Sequence, residues 1–225
     1  FKYAIFDING NQITPEWFNG INSNYGLIKG QSNFYIAEKD GKKAIFDVNG
    51  NRISDWFDEI DTDGLVKGES NYYIAKRDGR WAIFHKDGRQ ISEWFDWIER
   101  DGLVKGESNL YLAKRDGKYA IFDENGEMIT KDWFDRIIED GLVKGESDYC
   151  ITCNKNTCTV YHKNGQKVSD DFPKDYIQYF SKITFNEAIG IVEVKLNGEI
   201  IKTIDFNPIY PFKEEIIDYT KLLNI

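Results

Sequence analysis

Histidine, methionine, cysteine and proline are all scarce in this chain of 225 residues, with two, one, three and four copies. Two histidines, His85 and His162, leave little material for acid–base catalysis at neutral pH. Cysteines 150, 153 and 158 form an odd, clustered set, unlike the framework of a secreted disulfide protein, so a reducing cytoplasm is expected. No apolar run is long enough to span a bilayer, and no basic stretch followed by an apolar one opens the chain, so no membrane association is expected. Basic residues are also short: 29 Lys and Arg face 38 Asp and Glu, a formal net charge of −9. That balance argues against a surface that neutralises nucleic-acid phosphates, and it favours a basic partner.

What the chain has is repetition. "DGLVKGES" begins at Asp63, Asp101 and Asp140, and a looser "YGLIKGQS" at Tyr25. The glycines that open these pairs, Gly26, Gly64, Gly102 and Gly141, are 38, 38 and 39 residues apart. "AIFD" or "AIFH" recurs at Ala4, Ala44, Ala82 and Ala120, with "TVYH" at Thr159 as a worn fifth copy. "EWFN", "DWFD", "EWFD" and "DWFD" start at Glu16, Asp55, Glu93 and Asp132, and the fifth copy, "DDFP" at Asp170, lacks the tryptophan. Such periodicity marks units that cannot bury both faces alone and must stack.

Within a unit, "NYYIAK" and "WAIF" are rich in β-branched and aromatic residues and flank Asp-Gly, a hairpin signal. A second Asp-Gly turn follows, replaced by Asn-Gly at Asn9, Asn49, Asn125 and Asn164. "GLVKGES" reads as a short extended run ending in a turn. Ser92 then suits a helix N-cap, Pro15 a first helical position, and Trp94, Phe95 and Ile98 a helical face closed by Gly102. The expected fold is therefore an all-β repeat protein of about five units, each of short antiparallel strands plus a helical turn. Residues 1–206 are expected to stack as an open solenoid-like array, with 207–225 as a C-terminal helical cap. A closed five-bladed β-propeller is the alternative, because the chain starts mid-unit and its C-terminal strands could complete that blade.

These anchors resemble WG (KWG) repeats. The stretches that match are "RWAIFHKDG" from Arg80, "KYAIFDENG" from Lys118, "WFDEI" from Trp56, "WFDRI" from Trp133 and "GLVKG" from Gly64, and the likeness spans about four fifths of the chain. Alanine stands at Ala44, Ala82 and Ala120, where that family's signature has glycine. The resemblance implies a scaffold with no common catalytic residues and with a variable repeat number, which favours the open array.

The motifs that suggest chemistry read as structure. "GLVKGES" separates Lys67 from Ser70 and leads into a strand, whereas a phosphate loop needs adjacent Lys and Ser or Thr at a helix start. Cys150, Cys153, Cys158 and His162 have a spacing that could hold zinc. Aligned units, however, put them at ordinary strand positions, with Cys150 and Cys153 on opposite faces and Cys153 able to face Cys158 across a tight turn. The repeated Asp58, Asp96 and Asp135 read as caps or links between units. Trp17, Trp56, Trp94 and Trp133 are expected in the stacking core. No metal, cofactor or enzymatic activity is expected.

Residues that differ between units are released from packing, so function is sought there. Trp97 stands where other units have Gly20, Glu59 and Arg136. It is either an exposed anchor or a cover for the next unit. Trp81, Glu99 and Arg100 are expected to share its surface, and Glu59 and Arg136, its counterparts in other units, are expected to contact the partner as well. The expected function is a non-enzymatic protein-binding scaffold, in its narrower form an acidic inhibitor of a nucleic-acid enzyme from a phage or other mobile element. It would occupy a basic groove of a bacterial or phage enzyme without binding nucleic acid itself. The alternative is a binder of carbohydrate or cell envelope.

Overall fold

A computed structural model of the chain describes residues 1–138, 141–177 and 182–209. These form sixteen strands in five small antiparallel sheets, with two short 3-10 turns and no longer helix among the described residues. The first sheet is Gly20–Ile21, Phe34–Lys39 and Lys42–Asp47; the second Glu59–Ile60, Tyr72–Arg77 and Arg80–His85; the third Trp97–Ile98, Leu110–Arg115 and Lys118–Asp123. The fourth adds a strand: Arg136–Ile138, Tyr149–Asn154, Thr157–His162 and Phe172–Pro173. The fifth, Lys182–Asn186, Ile191–Leu196 and Glu199–Asp205, lies beyond the repeated motifs.

The hairpins form where the turn chemistry puts them. Asp78-Gly79 and Asp116-Gly117 take left-handed φ values of 52° and 81°, and 50° and 79°, as a primed two-residue turn requires. Each turn is clamped from outside by the recurrent aspartate. Asp58 accepts the amide of Asp78, Asp96 that of Asp116 and Asp135 that of Lys155, at 2.7–2.8 Å. These carboxylates are links in the fold.

The helical turn expected after Ser92 is not there. Ser92 Oγ accepts from the Ile83 amide and donates to the Glu93 carbonyl, both at 2.8 Å, in place of capping a helix. Phe95 exchanges two backbone hydrogen bonds with Trp81, and after a bend at Asp96 the chain pairs with Leu110–Arg115 of the next sheet. One short segment thus serves two sheets. The bend breaks strand alternation, so Phe95 and Ile98 both reach the core at a spacing that imitates a helix. The tight turn lies instead in the stretch expected to be extended: Gly26–Lys29 is a 3-10 turn, and 64–68 folds similarly, with Gly64 and Gly68 at φ 78° and 76°.

"DGLVKGES" is a staple between units. Leu65 and Val66 are buried, and Glu69 accepts the Gly64 amide at 2.8 Å. Ser70 Oγ donates to the Val104 carbonyl of the next unit at 2.6 Å, as Ser32 does to Val66. Asp101 pairs with Lys105 at 2.6 Å and with Lys144 of the following copy at 3.4 Å. The Lys105 hydrogen bond, with Lys144 behind it, holds the Asp101 carboxyl below its ordinary range against the opposing pull of burial.

The sheets stack face on face. Tyr73, Ala75, Ala82 and Phe84 of the second sheet pack with Ile36 and Ile45 of the first, and the third sheet repeats this against Ile74 and Ile83. Trp56, Trp94 and Trp133 each lie partly buried on a phenylalanine pair of the preceding unit, as with Trp94 on Phe57 and Phe84 at 6.4 and 5.9 Å. Trp17 departs from the expected burial: among the described aromatic rings it meets Phe6 alone, and it is 52% exposed. Beyond Ile209, the cap expected over 207–225 lies outside the described residues.

Tyr35, Tyr73 and Tyr111 are fully buried, and no described group hydrogen-bonds to their hydroxyls. Burial, with the Asp47 charge adding to it, pushes the Tyr35 hydroxyl up to about 12, and burial raises the other two as well. A buried unpaired hydroxyl costs about 1–3 kcal/mol. Tyr73→Phe is therefore expected to leave the thermal midpoint unchanged or raise it, with a gain of up to about 1 kcal/mol. A loss of stability on that scale would mean that the hydroxyl has a partner.

Candidate functional site

The register of the hairpins sets variable residues in cross-strand rows. In the second sheet Glu59 faces Lys76, which faces Trp81. Lys76 Nζ lies 2.9 Å from Glu59 and 5.1 Å from the Trp81 ring centroid. In the third sheet the same row is Trp97, Lys114 and Tyr119, with Lys114 over the Tyr119 ring at 5.1 Å. Trp97 meets Tyr119 edge-on at 6.3 Å and is still 38% exposed, so it both packs in its own sheet and presents surface. In the fourth sheet the row is Arg136, Cys153 and Cys158.

That last row settles the cysteines. Cys153 and Cys158 face each other across the tight turn, as expected, and are joined by a disulfide. Cys150 points to the opposite face and is buried against Leu112 and Ile121. His162 Nδ1 accepts the Asn164 amide at 3.2 Å, doing what Asp47 does for Asn49 in an earlier turn. The four possible zinc ligands are thus dispersed, and no group of three or more metal-ligating side chains occurs among the described residues.

Where the second sheet meets the third, a cleft of about 220 Å³ is lined by Asp61, Ile74, Trp81, Trp97, Ile98, Glu99 and Arg100. Four of the residues singled out from sequence, Trp81, Trp97, Glu99 and Arg100, come together here. Glu59 and Arg136 do not line it: Glu59 is tied to Lys76, and Arg136 is half-buried in the fourth sheet. Asp61 was not singled out. Its carboxylate, 10% exposed, accepts the Asp63 amide at 3.0 Å and lies 2.6 Å from Arg100 Nε. Sequence comparison offered one signal for it, since aligned units carry Asn22, Asp61 and Glu99 at this place.

An equivalent cleft opens between the first and second sheets, with Ile36, Lys43, Ile60 and Asn22 in the places of Ile74, Trp81, Ile98 and Asp61. The aliphatic floor repeats and the polar and aromatic walls do not. In the cleft between the second and third sheets, two carboxylates, Asp61 and Glu99, stand in the lining with one cation, Arg100.

Fold and cleft together define an all-β protein of stacked, repeat-like sheets with equivalent surface grooves between the first and second and between the second and third sheets. No protein-family model matches the chain, and no curated protein is a significant match. Solved structures give weak likenesses. Hsv2 from Kluyveromyces marxianus is 12% identical over 96% of this chain and 70% of its own, with a TM-score of 0.39. Kluyveromyces lactis Hsv2 is 13% identical over 86% and 71%, at 0.36. Dihydro-heme d1 dehydrogenase NirN in complex with DHE is 11% identical over 92% and 42%, at 0.24. No helix among the described residues is long and apolar enough to cross a membrane.

Proposed function

We propose that this protein is a non-enzymatic scaffold of WG-like repeats that binds another protein through the cleft between its second and third sheets. The observation that carries this reading is convergence: the motifs repeated between units lie in turns and core, whereas four residues that break the repeat, Trp81, Trp97, Glu99 and Arg100, line one groove. Trp81 and Trp97 supply the large amphipathic contacts typical of binding hot spots. The array is read as open, because the described strands of the last sheet pair with none of residues 1–21. The narrower reading is an acidic inhibitor seated in the basic groove of a nucleic-acid enzyme, supported by the net charge of −9.

Affinity purification from native cells, with wild type and Trp97→Ala side by side, tests this. The variant is expected to bind the partner about thirtyfold more weakly, the ~2 kcal/mol of a hot-spot tryptophan. Full retention by the variant would remove this surface from the account. Binding that does not weaken as salt rises would remove the basic-groove reading.

A further inference from the structure

We infer that the cleft between the second and third sheets is a receptor for an arginine side chain of the partner, and that Arg100 occupies it in the free protein. This rests on the binding surface proposed above and names the chemistry it selects.

The argument begins with Asp61. Its carboxylate is almost withdrawn from solvent, and a carboxylate so placed needs a cation or several donors. It has one backbone amide, that of Asp63, and one cation, that of Arg100. Arg100 reaches in from solvent, with a side chain 59% exposed, so it can leave without unpacking the core. Aligned units carry Ser23 and Thr62 where Arg100 stands, so neither has a side chain that could reach back in this way. A cation at this position is thus specific to this cleft, as are Trp81 and Trp97.

The surroundings favour a guanidinium over an ammonium. The resident group is itself a guanidinium, bound through Nε, and indole walls suit a planar, weakly hydrated cation. Glu99 stands in the lining with its Oε1 turned to the Arg100 amide at 2.8 Å. Lys76, near Trp81, is already met by Glu59, so the row does not repel a second cation as strongly as a free lysine would. An incoming arginine would take over the Asp61 contact while Arg100 swings into water. The apparent affinity is then lowered by the fraction of clefts that Arg100 holds.

The test uses Arg100→Ala, with Arg100→Gln as a second variant should the first fail to fold. The probe is N-acetyl-arginine amide, followed by tryptophan fluorescence. N-acetyl-citrulline amide, nearly the same shape without the charge, is the control. Saturable binding of the arginine probe to the variant is expected, about tenfold tighter than to wild type, absent with citrulline, and lost when Asp61→Asn is added. No saturable response in either variant, or one that survives Asp61→Asn, overturns the receptor. Partner capture separates the two proposals. If Trp97→Ala abolishes capture and Asp61→Asn does not, the surface stands and the arginine receptor falls. If Trp97→Ala leaves capture intact, the surface falls, and the probe titration decides the receptor by itself.

Discussion

Gly102→Ala should cost at least about 4 kcal/mol and remove most of the cooperative unfolding transition. Two effects add. Gly102 sits at φ 78°, a region that charges a side-chain-bearing residue about 1–2 kcal/mol. An added Cβ would also fall 2.3 Å from the Leu110 carbonyl oxygen and 2.7 Å from Val143 Cγ1 of the next unit. Backbone on one side and a neighbouring unit on the other leave it no direction of relief. Gly117→Ala separates the two effects. Gly117 has nearly the same φ, 79°, with nothing within 4 Å of the added carbon, so it should lose only the conformational share. Urea denaturation of the pair is the measurement, and equal losses would show that the units do not press on Gly102.

Phe95→Ala should cost about 3–5 kcal/mol. Phe95 is 1% exposed and packs on Phe122 and Trp133 at 5.2 and 6.2 Å, with the Arg115 guanidinium over its ring at 4.8 Å. Its backbone pairs with Trp81 of one sheet, while its ring belongs to the core of the next. The lost side chain therefore weakens a boundary as well as a core. In a stacked array, where stability adds unit by unit, a weak boundary lets the two sides unfold separately. The urea transition should broaden and its slope fall along with its midpoint. A transition that keeps its slope and shifts by less than about 1 kcal/mol would contradict this packing.

The hairpins were legible in sequence because their cause is local: Asp-Gly at 78–79 and 116–117 carries its own conformational preference. The stacking of units was legible because repetition itself implies it. The segment around Phe95 was misread for a physical reason. Spacing reports which residues point inward, and a bent extended segment shared by two sheets gives the spacing of a helix. Trp17 was misjudged because a residue identical to Trp56 and Trp94 inherits their burial only if the phenylalanine pair beneath is complete. The site was half legible. Departure from the repeat marked Trp81, Trp97, Glu99 and Arg100, whereas at the place of Asp61 the aligned units change only among Asn22, Asp61 and Glu99, a weak signal. The importance of Asp61 comes from Arg100, 39 positions away in the chain and opposite it only once the sheets stack.

The cleft takes Asp61, Ile74 and Trp81 from one sheet and Trp97 to Arg100 from the next. Its composition is consequently an attribute of an ordered pair of units. Exchanging or shuffling copies during duplication changes two grooves at once and leaves the stacking residues untouched. A pool of k kinds of unit can display about k² kinds of groove, so such an array diversifies its surface faster than it diversifies its parts.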